Sequence, residues 1–278
     1  MKQIFLAGLT LVGAAALAPD TFAQTGAQTA APAAQSRTAA AGGYLVPTTA
    51  PVTLSILPPP PAAGSGREAD DKAIFKATRA LQGQPRWDLA IADADLRPET
   101  VLQAFACDIG VSLDGRNAPG LLSLLRRSGI DSYMAFNPPK DHYGRPRPYM
   151  AADAGQAPIC VPKSDALAKS ASYPSGHATV SWAWGLIVAE LAPDRTTEIL
   201  ARARSIGESR IVCGVHYLSD VEAGRTTGSI LVAALHGDAA FRADLDKARA
   251  EVAAARVAPH TAPSQCAIGD DAAAHPPY

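Results

Sequence analysis

Apolar residues recur at helical spacing along most of the chain. From Asp70 to Leu81 they fall at Ala73, Ile74, Ala77 and Leu81, and Trp87 to Ala94, Glu99 to Cys107 and Ala118 to Arg127 repeat the pattern. Gly176 to Leu191 predicts the longest apolar helix, with Val180, Trp182, Trp184, Leu186, Ile187, Val188 and Leu191, and Pro193 stops it. This run is short of the roughly 20 residues that span a bilayer, so it reads as a central core helix. Arg195 to Ile206 is amphipathic through Ile199, Ala203 and Ile206, and His216 to Leu235 and Ala239 to Val257 predict two further helices. Alternating strand patterns are nearly absent, and the neighbours of Asp114-Gly115 do not alternate. The expected fold class is all-α.

The ends read differently. Lys2 followed by an uncharged apolar run from Ile4 to Ala18, then Thr21-Phe22-Ala23, predicts a cleavable signal peptide over 1–23. From Gln24 to Gly66 the one charged residue is Arg37, so 24–66 is expected to be a linker or N-terminal extension. It is expected to be flexible at first, with Pro58 to Pro61 as a polyproline rod that packs on the domain. A helical domain follows over 67–258, and 259–278, with four prolines, reads as a tail.

Composition narrows the class. Of 278 residues, 47% are hydrophobic and 18% charged, which excludes a wholly disordered chain. Twenty-five basic against 26 acidic residues give a net charge of −1, with no global attraction for nucleic acid or an anionic membrane. No apolar run after residue 23 is long enough to span a bilayer, so the mature form is expected off the membrane. Export predicts a periplasmic or secreted protein and makes Cys107, Cys160, Cys213 and Cys266 candidates for disulfides, with all three pairings open. Their flanks share nothing, and no Cys-x-x-Cys or Cys-x-x-His pair suggests zinc.

Three clusters carry candidate chemistry. Lys140 to Pro148 holds four cationic or potentially cationic side chains, Lys140, His142, Arg145 and Arg147, in a turn stiffened by Pro146 and Pro148. Tyr173-Pro-Ser-Gly-His177 directly precedes the long apolar helix. At such a start free backbone N–H groups favour an anion, Gly176 permits close approach, Ser175 adds a hydroxyl and His177 stands beside. In Ser209 to Asp220, Arg210 offers a planar fork for two oxygens. His216 and Asp220, four apart, would share one helix face, so that the carboxylate holds one ring nitrogen and frees the other. Each cluster alone equally suits a solvated turn, a plain helix cap or a surface ion pair.

Together they resemble a known signature. Lys140-x6-Arg147-Pro148, then Pro174-Ser-Gly-His177, then Ser209-Arg210-x5-His216-x3-Asp220 is similar to the signature of the acid phosphatase and vanadium haloperoxidase superfamily, which includes the type 2 phosphatidic acid phosphatases. Leu57 to Pro61, Pro85 to Trp87, Asp93 to Asp95 and Gly207 to Arg225 further resemble the bacterial class A nonspecific acid phosphatases. Pro139, His142, Gly144 and Tyr149 depart from the usual residues around the motif lysine and arginine, which bears on substrate preference.

The resemblance implies a compact helical bundle and a metal-free exported acid phosphatase acting on small phosphate monoesters, with no cofactor. In that reading His216 is the nucleophile, Asp220 orients it and His177 is the acid and base. Lys140, Arg147, Arg210, Ser175 and Gly176 hold the phosphate. Inorganic phosphate or vanadate would inhibit. Transfer to alcohols and homo-oligomers are left open. The competing readings are a vanadate-dependent haloperoxidase and a phosphate-binding protein without turnover.

Overall fold

The computed structural model describes residues 42–151, 157–264 and 266–278. The expected signal peptide, and the first part of the expected linker up to residue 41, lie outside the described residues.

The helix that the apolar run predicts, here α7 (Gly176–Leu191), is the centre of the molecule and has the expected bounds. Ala178, Val180, Ala183, Trp184, Ile187, Val188 and Leu191 are all buried on it. It is apolar on every side because it has neighbours on every side. These are α5 (Pro119–Tyr143), α8 (Thr196–Val212), α9 (Leu218–Leu235) and α10 (Ala239–Val257). Small residues let the axes approach closely. A Cβ on Gly185 would lie 2.3 Å from Ala203 Cβ of α8, and one on Gly224 of α9 would lie 2.6 Å from the Ser175 carbonyl.

The first half of the chain wraps this core with α1 (Gly66–Thr78), α2 (Pro85–Ala92), α3 (Pro98–Ala104) and α4 (Ala106–Ile109). A short α6 (Asp165–Lys169) and a C-terminal α11 (Ala267–Ala274) complete the fold, and no strand occurs among the described residues. The protein is all-α, as its periodicity predicts.

Two helices differ from expectation near the site. The helix predicted to end at Arg127 continues as α5 to Tyr143, through Pro138 and Pro139, and is closed by Gly144 in the left-handed conformation. Its start is capped from α10, where the Glu251 carboxylate accepts the Gly120 and Leu121 N–H groups at 3.0 Å each. The helix predicted from His216 begins instead at Leu218, because the Asp220 carboxylate accepts the Tyr217 N–H at 2.8 Å and caps the first turn. His216 therefore stands in the turn before α9 rather than on its face.

The segment expected as a linker or extension is packed where it is described. Tyr44 and Leu45 are buried, and both donate backbone N–H groups to the Asp131 carboxylate of α5, at 2.8 and 3.0 Å. The Pro58 carbonyl accepts the Tyr173 hydroxyl at 2.6 Å, which anchors the proline run beside the start of α7. The tail also packs. Disulfides join Cys107 to Cys266 and Cys160 to Cys213, and the Tyr278 hydroxyl donates to buried Glu208 at 2.9 Å.

If the α7–α8 approach is as close as Gly185 and Ala203 indicate, Gly185→Ala will lower unfolding stability by about 1–3 kcal/mol. Adding Ala203→Gly should restore part of that loss in denaturant titrations. Simple additivity of the two losses would show that the pair is not in contact.

Candidate active site

Four helix ends and the turns between them converge on one buried point. Lys140 lies in the last turn of α5 and Arg147 three residues past its glycine cap. Ser175 is the N-cap of α7, with Gly176 and His177 following. Arg210 is in the last turn of α8, and the chain then turns through Gly214, at φ 74°, to His216 and the start of α9. Arg79 clamps that turn, donating to the Ile211 and Val212 carbonyls at 2.8 and 2.6 Å and to Pro158 O at 2.6 Å. The Cys160–Cys213 disulfide fastens its other side. The Ser175 N–H donates to the Asp220 carbonyl at 2.9 Å, so the N-termini of α7 and α9 meet. Both dipoles thus add positive potential to the point where the cations gather.

The buried cations sort into two groups. Arg145 and Arg202 are matched with carboxylates. Arg145 reaches Asp220 at 2.6 Å and Asp71 at 2.9 Å, and Arg202 reaches Asp93 at 2.5 Å. Lys140, Arg147 and Arg210 have no carboxylate in direct contact among the described residues. Lys140 Nζ donates to the Ala171 carbonyl. Arg147 donates to the Leu167, Ser170 and Val215 carbonyls at 3.0, 2.8 and 2.9 Å. Arg210 has one weak partner, Cys213 Sγ at 3.7 Å, and its buried Nε has none. Burial pushes all three down, and repulsion from Arg147 adds to it for the other two, taking Lys140 to about 7 and Arg210 to about 10. Such a trio is under-neutralised and suits a multiply charged oxyanion.

His216 faces this trio. Arg147 Nη1 stands 3.1 Å from His216 Nε2. A guanidinium can only donate, so Nε2 carries a lone pair and Nδ1 the proton. On the Nδ1 side the Asp220 carboxylate is 3.6 Å away, too far for a direct hydrogen bond. Ser172 closes the gap, with its Oγ 3.3 Å from Nδ1 and donating to Asp220 Oδ2 at 2.5 Å. The carboxylate therefore reaches the imidazole through a serine hydroxyl, where the sequence predicts direct contact along a helix.

His177 stands on the other side, its Nε2 3.1 Å from the Ala94 carbonyl. That carbonyl follows Asp93, which is locked by Arg202 and by the Ser209 hydroxyl at 2.6 Å. A carbonyl accepts only, so Nε2 holds the proton and Nδ1 is left for exchange. Both imidazoles are held well below their ordinary value. Burial is the first cause for each, with Arg210, His216 and Arg147 adding for His177, and Arg147, Lys140 and Arg210 for His216. Burial and the surrounding cations thus disfavour the charged form of both rings, and an anion beside them would offset that repulsion.

The Ser175 hydroxyl oxygen caps α7 by accepting the Ala178 N–H at 3.3 Å, which leaves its O–H to donate. Gly176 and His177 N–H groups have no turn beneath them. The sequence-predicted residues thus converge. Sequence reasoning missed Ser172, Asp71 and the role of Arg145. Arg145 lies two residues before Arg147 in the basic cluster, a signal that was present, whereas Asp71 and Ser172 belong to no motif. Asp71 also accepts the Ser219 N–H at 2.9 Å and so fixes the residue beside Asp220.

Comparison with known proteins agrees with this geometry. Residues 121–242 match the PAP2 superfamily. The chain is 45% identical to an acid phosphatase of Zymomonas mobilis over 75% of this chain and 78% of that protein. It is 37% identical to a non-specific acid phosphatase of Providencia stuartii, over 76% and 84% of the two chains. A non-specific acid phosphatase of Salmonella typhimurium is 33% identical, over 70% and 78%. The chain belongs to the PAP2 superfamily, among its non-specific acid phosphatases, and it is an acid phosphatase, a phosphoric monoester hydrolase.

Two expectations follow from the charges. Arg145→Met would strand Asp71 and Asp220 together and should cost about 3–5 kcal/mol of unfolding stability. A loss below about 1 kcal/mol would remove Arg145 as the counter-ion. The second concerns pH. Unfolded histidines take up protons below about pH 6.5, while native His177 and His216 resist, so their contribution to stability is lost as pH falls through that value. Sulfate keeps a constant charge from about pH 5 to about pH 8 and should offset that loss. Its effect on Tm should grow as pH falls; the same shift at every pH would refute the reading.

Proposed function

We propose that this acid phosphatase hydrolyses small phosphate monoesters through a phosphohistidine on His216, with Lys140, Arg147 and Arg210 supplying the positive charge that the transferred group needs. The observation that carries this reading is the trio of buried, carboxylate-free cations around an imidazole whose Nε2 lone pair faces them. The three cations, the Ser175 hydroxyl and the Gly176 N–H would bind the equatorial oxygens, where charge accumulates in the transition state.

His216 Nε2 attacks phosphorus, and the bond from phosphorus to the ester oxygen breaks. The leaving oxygen takes a proton from His177. His216 Nδ1–H stays bonded toward Ser172 and Asp220, which stabilise the positive ring. In the second half, His177 removes a proton from water. The resulting hydroxide attacks phosphorus, the P–N bond breaks, and Nε2 recovers its lone pair. An alcohol in place of water gives transfer instead of hydrolysis.

Acidic operation follows from the site. Burial, Arg210, His216 and Arg147 hold His177 well below its ordinary value, and the anionic substrate raises its proton affinity by offsetting Arg210 and Arg147. Binding therefore brings in a proton, which low pH favours. The two disulfides suit export to the periplasm or beyond, where they persist.

The test is hydrolysis of a chromogenic aryl phosphate from about pH 4 to about pH 9 in excess chelator. An acidic optimum is expected, insensitive to chelator. His216→Ala should lower kcat by at least about 1000-fold and abolish an acid-labile phosphoenzyme in a neutral or alkaline quench. Ser172→Ala should lower kcat about tenfold or more while leaving inhibition by inorganic phosphate nearly unchanged. Loss of activity with chelator, or a phosphoenzyme that survives acid, would overturn the mechanism.

A further inference from the structure

The α5 and α7 helices bear the two ends of the site and then run away from it side by side. A Cβ on Gly176 would lie 3.0 Å from Phe136 Cζ, and one on Gly129 would lie 3.1 Å from Trp184 Cζ2. Rising numbers on one helix meet falling numbers on the other, so the pair is antiparallel. Lys140, Tyr133 and Ile130 are spaced by seven and three residues and share one face of α5, and His177, Val180 and Trp184 share one face of α7. These faces flank a groove.

The groove has the shape and lining of a small-molecule subsite. It has a volume of about 490 Å³, in the range of ligand pockets, and is bordered by Leu96, Pro98, Ile130, Tyr133, Val180 and Trp184. The Gly129–Trp184 contact limits its far end. A second pocket of about 480 Å³ shares Tyr133 but lies between α5 and residues 166–171, with Lys140 and the polar Asn137, Asp141, Lys169 and Ser170 on its walls. Tyr133 borders both, 58% exposed, with its ring edge-on to Phe136 at 5.4 Å. Ile130, one turn back, is 42% exposed. The charged residue on the walls of the α5–α7 groove is committed, as Arg126 pairs with Glu99. Leu96 follows the Ala94 carbonyl that holds His177 by two residues, so the apolar wall starts at the proposed acid.

We propose that the α5–α7 groove is the subsite for the leaving group of the ester, that it selects planar aromatic groups, and that Tyr133 sets this preference. The inference rests on the assignment of Lys140 to the phosphate and His177 to the leaving oxygen. An ester held between those two residues has to direct its organic part along one of their helices. The groove between α5 and α7 opens one helical turn from His177, at Val180, and Tyr133 on its wall also borders the pocket that holds Lys140. An aromatic ring there gains apolar burial and an edge or face contact with Tyr133, while a polyol has no partner on these walls.

The test uses phosphonates, which carry no scissile ester bond, so it reads the subsite independently of the phosphohistidine. Benzylphosphonate should bind the wild type more tightly than methylphosphonate. Tyr133→Ala should weaken benzylphosphonate about three- to tenfold and change methylphosphonate less than about twofold. Tyr133→Phe should behave as wild type. In turnover, KM for 2-naphthyl phosphate should rise in Tyr133→Ala by the same factor, while KM for glycerol 2-phosphate stays put. Equal affinity of the wild type for both phosphonates overturns the proposal, as does equal weakening of both in Tyr133→Ala. A dimer in solution that Ile130→Asp dissociates, with phosphonate affinities untouched, would assign the groove to a second copy. If His216→Ala still forms the phosphoenzyme while the phosphonate preference holds, the mechanism fails and the subsite stands.

Discussion

Three cations buried without a carboxylate in contact are the constraint on which the rest of this structure depends. A protein interior does not accept such groups unless something holds them, and here three devices do. Carbonyl oxygens from α6 and the turn after it, and from the turn before α9, accept the Arg147 and Lys140 donors. The Cys160–Cys213 disulfide and the Arg79 clamp fix the backbone around Arg210. Glycines at the α7 contacts bring the helix ends near enough to share one anion. Arg147 repels both Lys140 and Arg210, so any oxyanion that binds among them offsets that repulsion and links binding to stability.

Carboxylates are plentiful nearby, and each is committed elsewhere. Asp93 is matched to Arg202 and Ser209, and Asp71 to Arg145 and Ser219. Asp220 accepts from Arg145, Ser172 and the Tyr217 N–H. That commitment keeps negative charge off Lys140, Arg147 and Arg210, where it would compete with substrate. It also gives Asp220 two duties, as the cap of α9 and as the anchor of the serine that holds His216. A residue doing both ties the orientation of the His216 ring to the packing of a core helix.

What the sequence revealed follows from the range of the forces involved. The α7 bounds were legible because a Ser-Gly start and an Ala-Pro stop enclose a continuous apolar run, all of it local. Lys140, Arg147, His177, Arg210 and His216 were legible as candidates from clusters with fixed spacing, and the fold brings them together. The reach of α5 was not, because its last turns carry a polar face and two prolines that local rules read as a stop. The place of His216 before α9 was not, because the helix start is set by a capping carboxylate three residues in. Ser172 and Asp71 lie 48 and 148 residues from their partners, Asp220 and Ser219, and only the fold brings them together. The packing of Tyr44, Leu45 and the C-terminal helix was hidden for the same reason, since their partners lie far along the chain.

The antiparallel pairing of α5 and α7 joins binding to selection. Lys140 ends one helix and His177 begins the other, so in the proposed mechanism the phosphate-binding charge and the acid are positioned by the same interhelical contact. Beyond them the two faces carry no catalytic group and are free to vary in size and polarity without moving the cradle. Phe136 is the exception, because it packs against Gly176 and so sets the distance between cradle and acid. Substitution at Ile130 alters the groove wall alone, whereas Tyr133 also supports Phe136, which packs against the α7 start. Specificity in this architecture can drift along the outer turns of two helices while catalysis remains anchored at their ends.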